Sequence, residues 1–243
     1  MPVASVRGAV SFLTRVPVSG AVGADDVARG AALFPLVGAG VGALSGGVAV
    51  LVHPTLSPLL GATAAVAVAA VVTGALHLDA LADTADALGA HSRKRALEIM
   101  RDSRLGTFGV TALAPDLLLK VGAIATLLVH RHALASLVAA GALSRAVSPP
   151  LAATLAYPRT EGGPGSVLSG RTSLVAAAVA VLLALAAAVL LGRAWLILPA
   201  ASVAVILGLF YRRWLGGATG DCLGAATELS ETLALVVAAA IAG

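Results

Sequence analysis

The chain is short of charge, of aromatic rings and of cysteine. Asp, Glu, Lys and Arg make up 12% of its 243 residues, about half the share found in a soluble domain, so water is not its main solvent. Aromatic residues are 3% of the chain. With so few rings to stack on bases, and with basic residues scattered between apolar runs, the formal net charge of +4 does not indicate a nucleic-acid partner. A single cysteine, Cys222, excludes an internal disulfide framework and a Cys-based zinc site and is expected to act as a small apolar packing residue. No β-barrel alternation is present, and an open sheet cannot satisfy its backbone in lipid. What is abundant is apolar: 59% of residues, mostly Ala, Val, Leu and Gly, which suits helices packed closely in a bilayer. The first twenty residues are interrupted by Arg7, Arg15 and Pro17, so they lack the continuous apolar stretch of a cleavable signal and are expected to be retained.

Stretches long enough to cross roughly 30 Å of hydrocarbon, about 20 residues each, fall near 33–52, 59–76, 105–129, 133–156, 174–191, 194–211 and 223–241. They predict an all-α fold, a polytopic integral membrane helical bundle of about seven transmembrane helices, forming one membrane-embedded domain over 1–243. The last stretch is the weakest, with Glu228 and Glu231 in its first half. Lys and Arg in short loops mark the cytoplasmic side. Arg7, Arg15, Arg29, Arg93, Lys94, Arg95, Arg101, Arg104, Arg159, Arg171, Arg212 and Arg213 fall in one set of alternating loops, against Arg131 and Arg193 in the other. That bias places the N-terminus inside a plasma or inner cell membrane and puts both acid-rich segments, within 77–104 and 212–231, on the cytoplasmic face. Residues 1–30 read as an interfacial segment: Val6, Val10, Phe12 and Leu13 beside Arg7 and Arg15 suggest a short amphipathic helix, and Asp25 and Asp26 read as acids at the start of the next helix.

The first acidic segment holds Asp79, Asp83 and Asp86. At about 100° per residue this i, i+4, i+7 spacing puts all three carboxylates within about 60° of helix arc. Like charges so placed repel, and no Lys or Arg lies between Gly61 and Ser92, so a bound cation is expected. Hard oxygen ligands without paired His or Cys point to Mg²⁺, which bridges carboxylates and phosphates. The plainer alternative is a solvated helix end. His77 has no second His at metal-ligand spacing and is read as a substrate-side or packing residue.

Downstream, Glu98, Arg101, Asp102 and Arg104 lie in a basic run. Arg101 and Arg104 carry planar forks suited to a diphosphate, whereas Arg93, Lys94 and Arg95 are read as orientation signals. In the second acidic segment, Gly216, Gly217, Thr219 and Gly220 lead into Asp221, Glu228 and Glu231. Glycines there allow close backbone approach, and free N–H groups at a helix start attract phosphate. Asp221 and Glu228, seven apart, share a helix face. Within the spans, Asp116 and Lys120 at i, i+4 are expected to pair with each other, Pro115 to kink its helix, and a buried Arg145 to need a partner not evident in the sequence.

Several of these segments, in order, resemble the cobalamin synthase family, the adenosylcobinamide-GDP ribazoletransferases: Phe12-Leu-Thr-Arg-Val-Pro17, Phe34-Pro-Leu-Val-Gly38, His77-Leu-Asp-Ala-Leu-Ala-Asp-Thr-Ala-Asp86, Leu97-Glu-Ile-Met-Arg-Asp-Ser-Arg-Leu-Gly-Thr-Phe-Gly109 and Gly216-Gly-Ala-Thr-Gly-Asp-Cys-Leu-Gly224 with Glu228 and Glu231. The resemblance spans nearly the whole chain, departing at Ala80 and Ala87, where the family commonly has Gly. It implies a Mg²⁺-dependent phosphotransferase of the EC 2.7.8 class. The corrinoid phosphate of adenosylcobinamide-GDP would pass to α-ribazole or its 5′-phosphate, releasing GMP and forming adenosylcobalamin or its phosphate. It further implies Asp79, Asp83, Asp86 and Asp221 as catalytic and metal-binding residues. His77, Arg101, Asp102, Arg104, Thr219, Gly220, Glu228 and Glu231 are implied on the substrate side. One of the acids, Glu228 included, would take the hydroxyl proton. A homo-oligomer is compatible with the sequence.

Two other functions are compatible with clustered membrane carboxylates. A CDP-alcohol phosphotransferase also uses clustered Asp residues, but the Asp-Gly-x2-Ala-Arg start of its motif is absent from this chain. A secondary transporter places carboxylates near the midplane on broken helices and often shows repeated halves. Here the acid-rich segments gather at one face and no repeat is evident, with Asp116 and Lys120 the residues that favour transport.

Overall fold

A computed structural model describes residues 2–159 and 164–242; Met1 and Gly243, the ends of the expected domain, lie outside the described residues. Among the described residues all regular structure is helical. The α-helices are α1 (Pro2–Leu13), α2 (Ala24–Gly30), α3 (Phe34–Val52), α4 (Pro58–Thr73), α5 (Leu76–Leu88), α6 (Arg93–Ile99), α7 (Thr107–Val129), α8 (Ala133–Arg145), α9 (Ser148–Thr154), α10 (Leu174–Leu190), α11 (Ile197–Trp214) and α12 (Gly220–Ala242).

Five stretches are long and apolar enough to cross a membrane: Ala24–Val52, Thr107–Val129, Ala133–Thr154, Ala194–Trp214 and Gly220–Ala242. A sixth arises if α4 and α5 are counted as one span, bent by 88°. Two shorter apolar helices remain, Val3–Leu13 within α1 and α10; α10, with 17 residues, coincides with the seventh expected stretch. The final helix, the least secure from sequence, runs unbroken for 23 residues, because its two glutamates turn into the protein and meet cations there. The faces of the bundle turned away from its core carry large exposed apolar side chains such as Leu118, Leu182, Leu190 and Ile206, as expected where lipid is the solvent.

Small residues set the packing. α3 lies along α8, where a Cβ added at Gly38, Gly42 or Gly141 would collide with the opposing backbone. α1 is helical, as its amphipathic pattern predicts, and packs on α2, where the Gly23 N–H donates to Asp26 at 3.1 Å and Arg29 pairs with Asp26 at 2.9 Å.

The bend between α4 and α5 decides where the acids go. α4 begins with Ser57 accepting from the Leu60 N–H at 3.1 Å and with Pro58 in its first turn, a favourable start. It ends at Gly74 with φ +64°, followed by Ala75 with φ +56°. Two successive left-handed residues reverse the helical path, and the Arg15 N–H donates to the Val72 carbonyl at 2.7 Å, tying the end of α1 to the break. α5 therefore leaves α4 nearly at a right angle and packs on α12.

Candidate active site

The two acidic segments converge. α5 crosses α12 so closely that a Cβ on Gly224 would overlap the Ala80 side chain, which explains why Ala is accommodated at position 80: glycine stands on the partner helix instead. Asp79, exposed on α5, and Asp221, half-buried in the first turn of α12, line one cavity of about 180 Å³. Asp83, one turn beyond Asp79, lies within electrostatic reach of Asp79, Asp221 and Asp86. His77 is 5% exposed and borders the same cavity.

Asp86 shares their helix face but has a different surrounding. Its carboxylate accepts the Gly106 N–H at 2.7 Å and the Gly109 N–H at 2.8 Å, an anion held at the N-terminus of α7, where helix dipole and unpaired amides favour it. A Cβ at Gly106 or Gly109 would strike this carboxylate, so the glycines of the 106–109 segment are explained by the close approach of Asp86.

The start of α12 is built to present Asp221. The Thr219 hydroxyl accepts the Cys222 N–H at 3.2 Å, the geometry of a helix cap, and lies 3.3 Å from Asp221 Oδ2. Gly220 borders the cavity. Arg159, whose side chain is 7% exposed, pairs with Asp221 at 3.2 Å, and its Nε has no hydrogen-bond partner among the described residues. Sequence reasoning used Arg159 only as an orientation signal; it sits in a loop far from the motifs, and nothing local to it marked its partner.

The basic run lies beside this turn. Met100 is buried with Leu215, Ala218 and Cys222, the Thr219 hydroxyl reaches its sulfur at 3.6 Å, and the Arg93 side chain passes over Gly216. Arg101 follows directly and is exposed. Arg104 and Asp102 form an exposed pair at 2.5 Å, in which hydrogen bonds from the Arg104 side chain and backbone hold the Asp102 carboxyl down to about 2.

Glu228 and Glu231 are set apart from this rim. Glu228 is 5% exposed and forms an ion pair with Lys120; Glu231 forms one with Arg145. The expected Asp116–Lys120 pair is present at 3.9 Å, but Lys120 also pairs with Glu228 and, at 3.8 Å, with Glu231, while Asp116 accepts the Thr232 hydroxyl at 2.6 Å. The physical reason is that α12 brings a second carboxylate to Lys120 from across the bundle, and the same helix supplies the partner of Arg145. Among the described residues no three His, Cys, Asp or Glu side chains converge closely enough to hold a metal ion by themselves.

Comparison with known proteins bears on this arrangement. Residues 5–239 match the family model described as cobalamin-5-phosphate synthase. The chain is 42% identical over 241 residues to an adenosylcobinamide-GDP ribazoletransferase of Klebsiella pneumoniae (strain 342), an alignment covering 96% of this chain and 98% of that protein. Proteins of the same name from Shigella dysenteriae serotype 1 (strain Sd197) and Escherichia coli O139:H28 (strain E24377A / ETEC) are also 42% identical, over 93% of this chain and 96% of theirs. No solved structure matches.

Proposed function

The chain belongs to the cobalamin-5-phosphate synthase family, and on that premise we propose that it is an adenosylcobinamide-GDP ribazoletransferase working at the cavity between α5 and α12. A ribose hydroxyl that is free both in α-ribazole and in its 5′-phosphate, and so not the 5′ oxygen, gives its proton to a site carboxylate and attacks the phosphorus on the corrinoid side of the diphosphate. The bond from that phosphorus to the bridging oxygen breaks, GMP leaves with the oxygen, and the corrinoid phosphate becomes a diester to the nucleoside. The observation that carries this reading is the meeting of Asp79 and Asp221, 142 positions apart in the sequence, at one cavity.

We assign Mg²⁺ to the Asp79, Asp83 and Asp221 carboxylates. Mg²⁺ is held by one or two carboxylates and completes its shell with water and substrate phosphate, so a converged triad is not required, and the crowding of these acids, offset in part by Arg159, supports the fit. When bound, the ion would neutralise the charge that shifts between the attacking and leaving oxygens. Asp86, engaged by two amides, keeps α7 against the carboxylate-bearing face of α5. Arg159 shields Asp221 and is positioned to turn to a phosphate oxygen when substrate arrives; Arg101, beside the Thr219 turn, is assigned to the diphosphate. Arg104 and Asp102 form the outer edge of this basic surface, and Glu228 and Glu231 act on substrate only through the positions of α7 and α8. The bias of Lys and Arg toward one set of loops supports a cytoplasmic site in the plasma or inner membrane.

The test is release of GMP from adenosylcobinamide-GDP and α-ribazole by the purified protein in detergent, with Mg²⁺ and with chelator, beside Asp83→Asn. Wild type should form corrinoid diester only with the metal, and the variant should lose at least a hundredfold in kcat while eluting as a folded particle. A folded wild type that turns over neither form of the nucleoside would overturn the assignment.

A further inference from the structure

The cavity at Asp79 and Asp221 has a wall that phosphate chemistry does not need. Only four of 243 residues are Phe. Two of them, Phe12 near the end of α1 and Phe34 at the start of α3, stack with centroids 5.6 Å apart and planes inclined by 4°, and both line this cavity together with Leu13, Leu168 and Leu223. Opposite them stands His77, which is 5% exposed and makes no hydrogen bond to another described residue. A buried imidazole without a hydrogen-bond partner is costly to leave unmet; His77 borders this cavity on one side and a small cavity lined by Lys120, Arg145, Glu228 and Glu231 on the other.

A charged diphosphate gains nothing from such a wall, whereas a planar, weakly polar ring bearing a sugar matches it: the ring stacks on an aromatic face, and its polar edge meets one buried donor or acceptor. Resting on the transferase reading, we propose that this cavity is the site of the acceptor nucleoside. Its apolar base lies against the Phe12–Phe34 pair, Leu168 and Leu223; its polar edge meets His77; and its attacking ribose hydroxyl emerges between Asp79 and Asp221. The size of the base accepted is then set by Phe12 and Leu168, residues outside both acidic segments.

The experiment uses the full chain in detergent. Steady-state rates are measured against α-ribazole and adenosylcobinamide-GDP for wild type, Phe12→Ala, Leu168→Phe and His77→Phe, with equilibrium dialysis of α-ribazole alone on each. Phe12→Ala should raise the nucleoside KM about tenfold or more, leave the KM for adenosylcobinamide-GDP unchanged, and let an α-riboside with one additional fused ring compete with the parent. Leu168→Phe should weaken nucleoside binding by a similar factor, and His77→Phe should raise the nucleoside KM selectively. Unaltered nucleoside KM and base-size preference in an active wild type and its variants would sink this subsite while leaving the transferase assignment standing. If wild type does not turn over, the transferase assignment fails. Dialysis still decides the subsite: binding to wild type that weakens in Leu168→Phe supports it, and absent or unaltered binding refutes it.

Discussion

The three carboxylates of α5 share one face but not one task. Among the described residues Asp79 and Asp83 have no neutralising hydrogen bond, whereas Asp86 is engaged by the amides of Gly106 and Gly109. Asp86→Asn keeps one acceptor oxygen and loses the charge, so one amide is left unmet at a helix N-terminus. A loss of about 1–2 kcal/mol is expected, read as a lowered midpoint of thermal unfolding in detergent. Asp83→Asn should leave that midpoint unchanged or raise it, since it relieves repulsion among neighbouring acids. A second residue-scale prediction concerns the buried ion pairs. Lys120→Met strands Glu228 away from water, and breaking one side of a buried pair costs about 3–5 kcal/mol. Adding Glu228→Gln should recover much of that loss. A double variant no more stable than Lys120→Met alone would show that the two residues are not coupled.

Among the elements, the junction of α4 and α5 has the largest consequence. Without it α5 would continue α4 along its axis, and Asp79 would not reach Asp221. Gly74 holds φ +64° and its Cα faces the Arg15 side chain, where a Cβ would come within 2.9 Å of Arg15 Cγ. Gly74→Ala therefore combines left-handed strain of about 1–2 kcal/mol with displacement of Arg15. The expected result is a lower unfolding midpoint together with a fall in kcat, because the bend angle sets the separation of the two acidic helices. Ala75→Gly, at φ +56°, should by contrast retain full turnover and match or exceed wild-type stability. The αL conformation costs glycine little, and an opposite result would show that the bend is imposed by packing alone.

For the whole molecule, orientation is the open quantity, and the lone buried Cys222 makes it measurable. In a Cys222→Ala background, single cysteines at exposed Ser92 and exposed Arg131 should react with a membrane-impermeant maleimide from opposite sides, Ser92 only after the cytoplasmic face is opened. Labelling of Ser92→Cys in intact cells would place the acidic cavity outside. The charge bias behind this expectation also includes residues with a second use. Arg159 is bound to Asp221 and Arg171 reaches Asp25 at 3.1 Å, so these loop cations also tie together the surface on which they lie.

The membrane class, the helical architecture and the shared face of Asp79, Asp83 and Asp86 were legible in the sequence, because each rests on local quantities: run length, helical period and loop charge. The family resemblance was legible too, being carried by short contiguous motifs. What the sequence could not show was how elements far apart in the chain meet. The partner of Arg145 was hidden because Glu231 lies 86 positions away, and of the partners of Lys120 only Asp116, at i, i+4, was visible along the chain, whereas Glu228 lies 108 positions on. The number of helices that reach across the bilayer depended on a break at two left-handed residues, one of them an alanine whose conformation no propensity announces. Tertiary packing alone decided that Asp86 caps α7, that Arg159 meets Asp221, and that Phe12 and Phe34 stack beside the acids. Each is a contact between separate elements, whose free energy depends on distance and burial rather than on order along the chain.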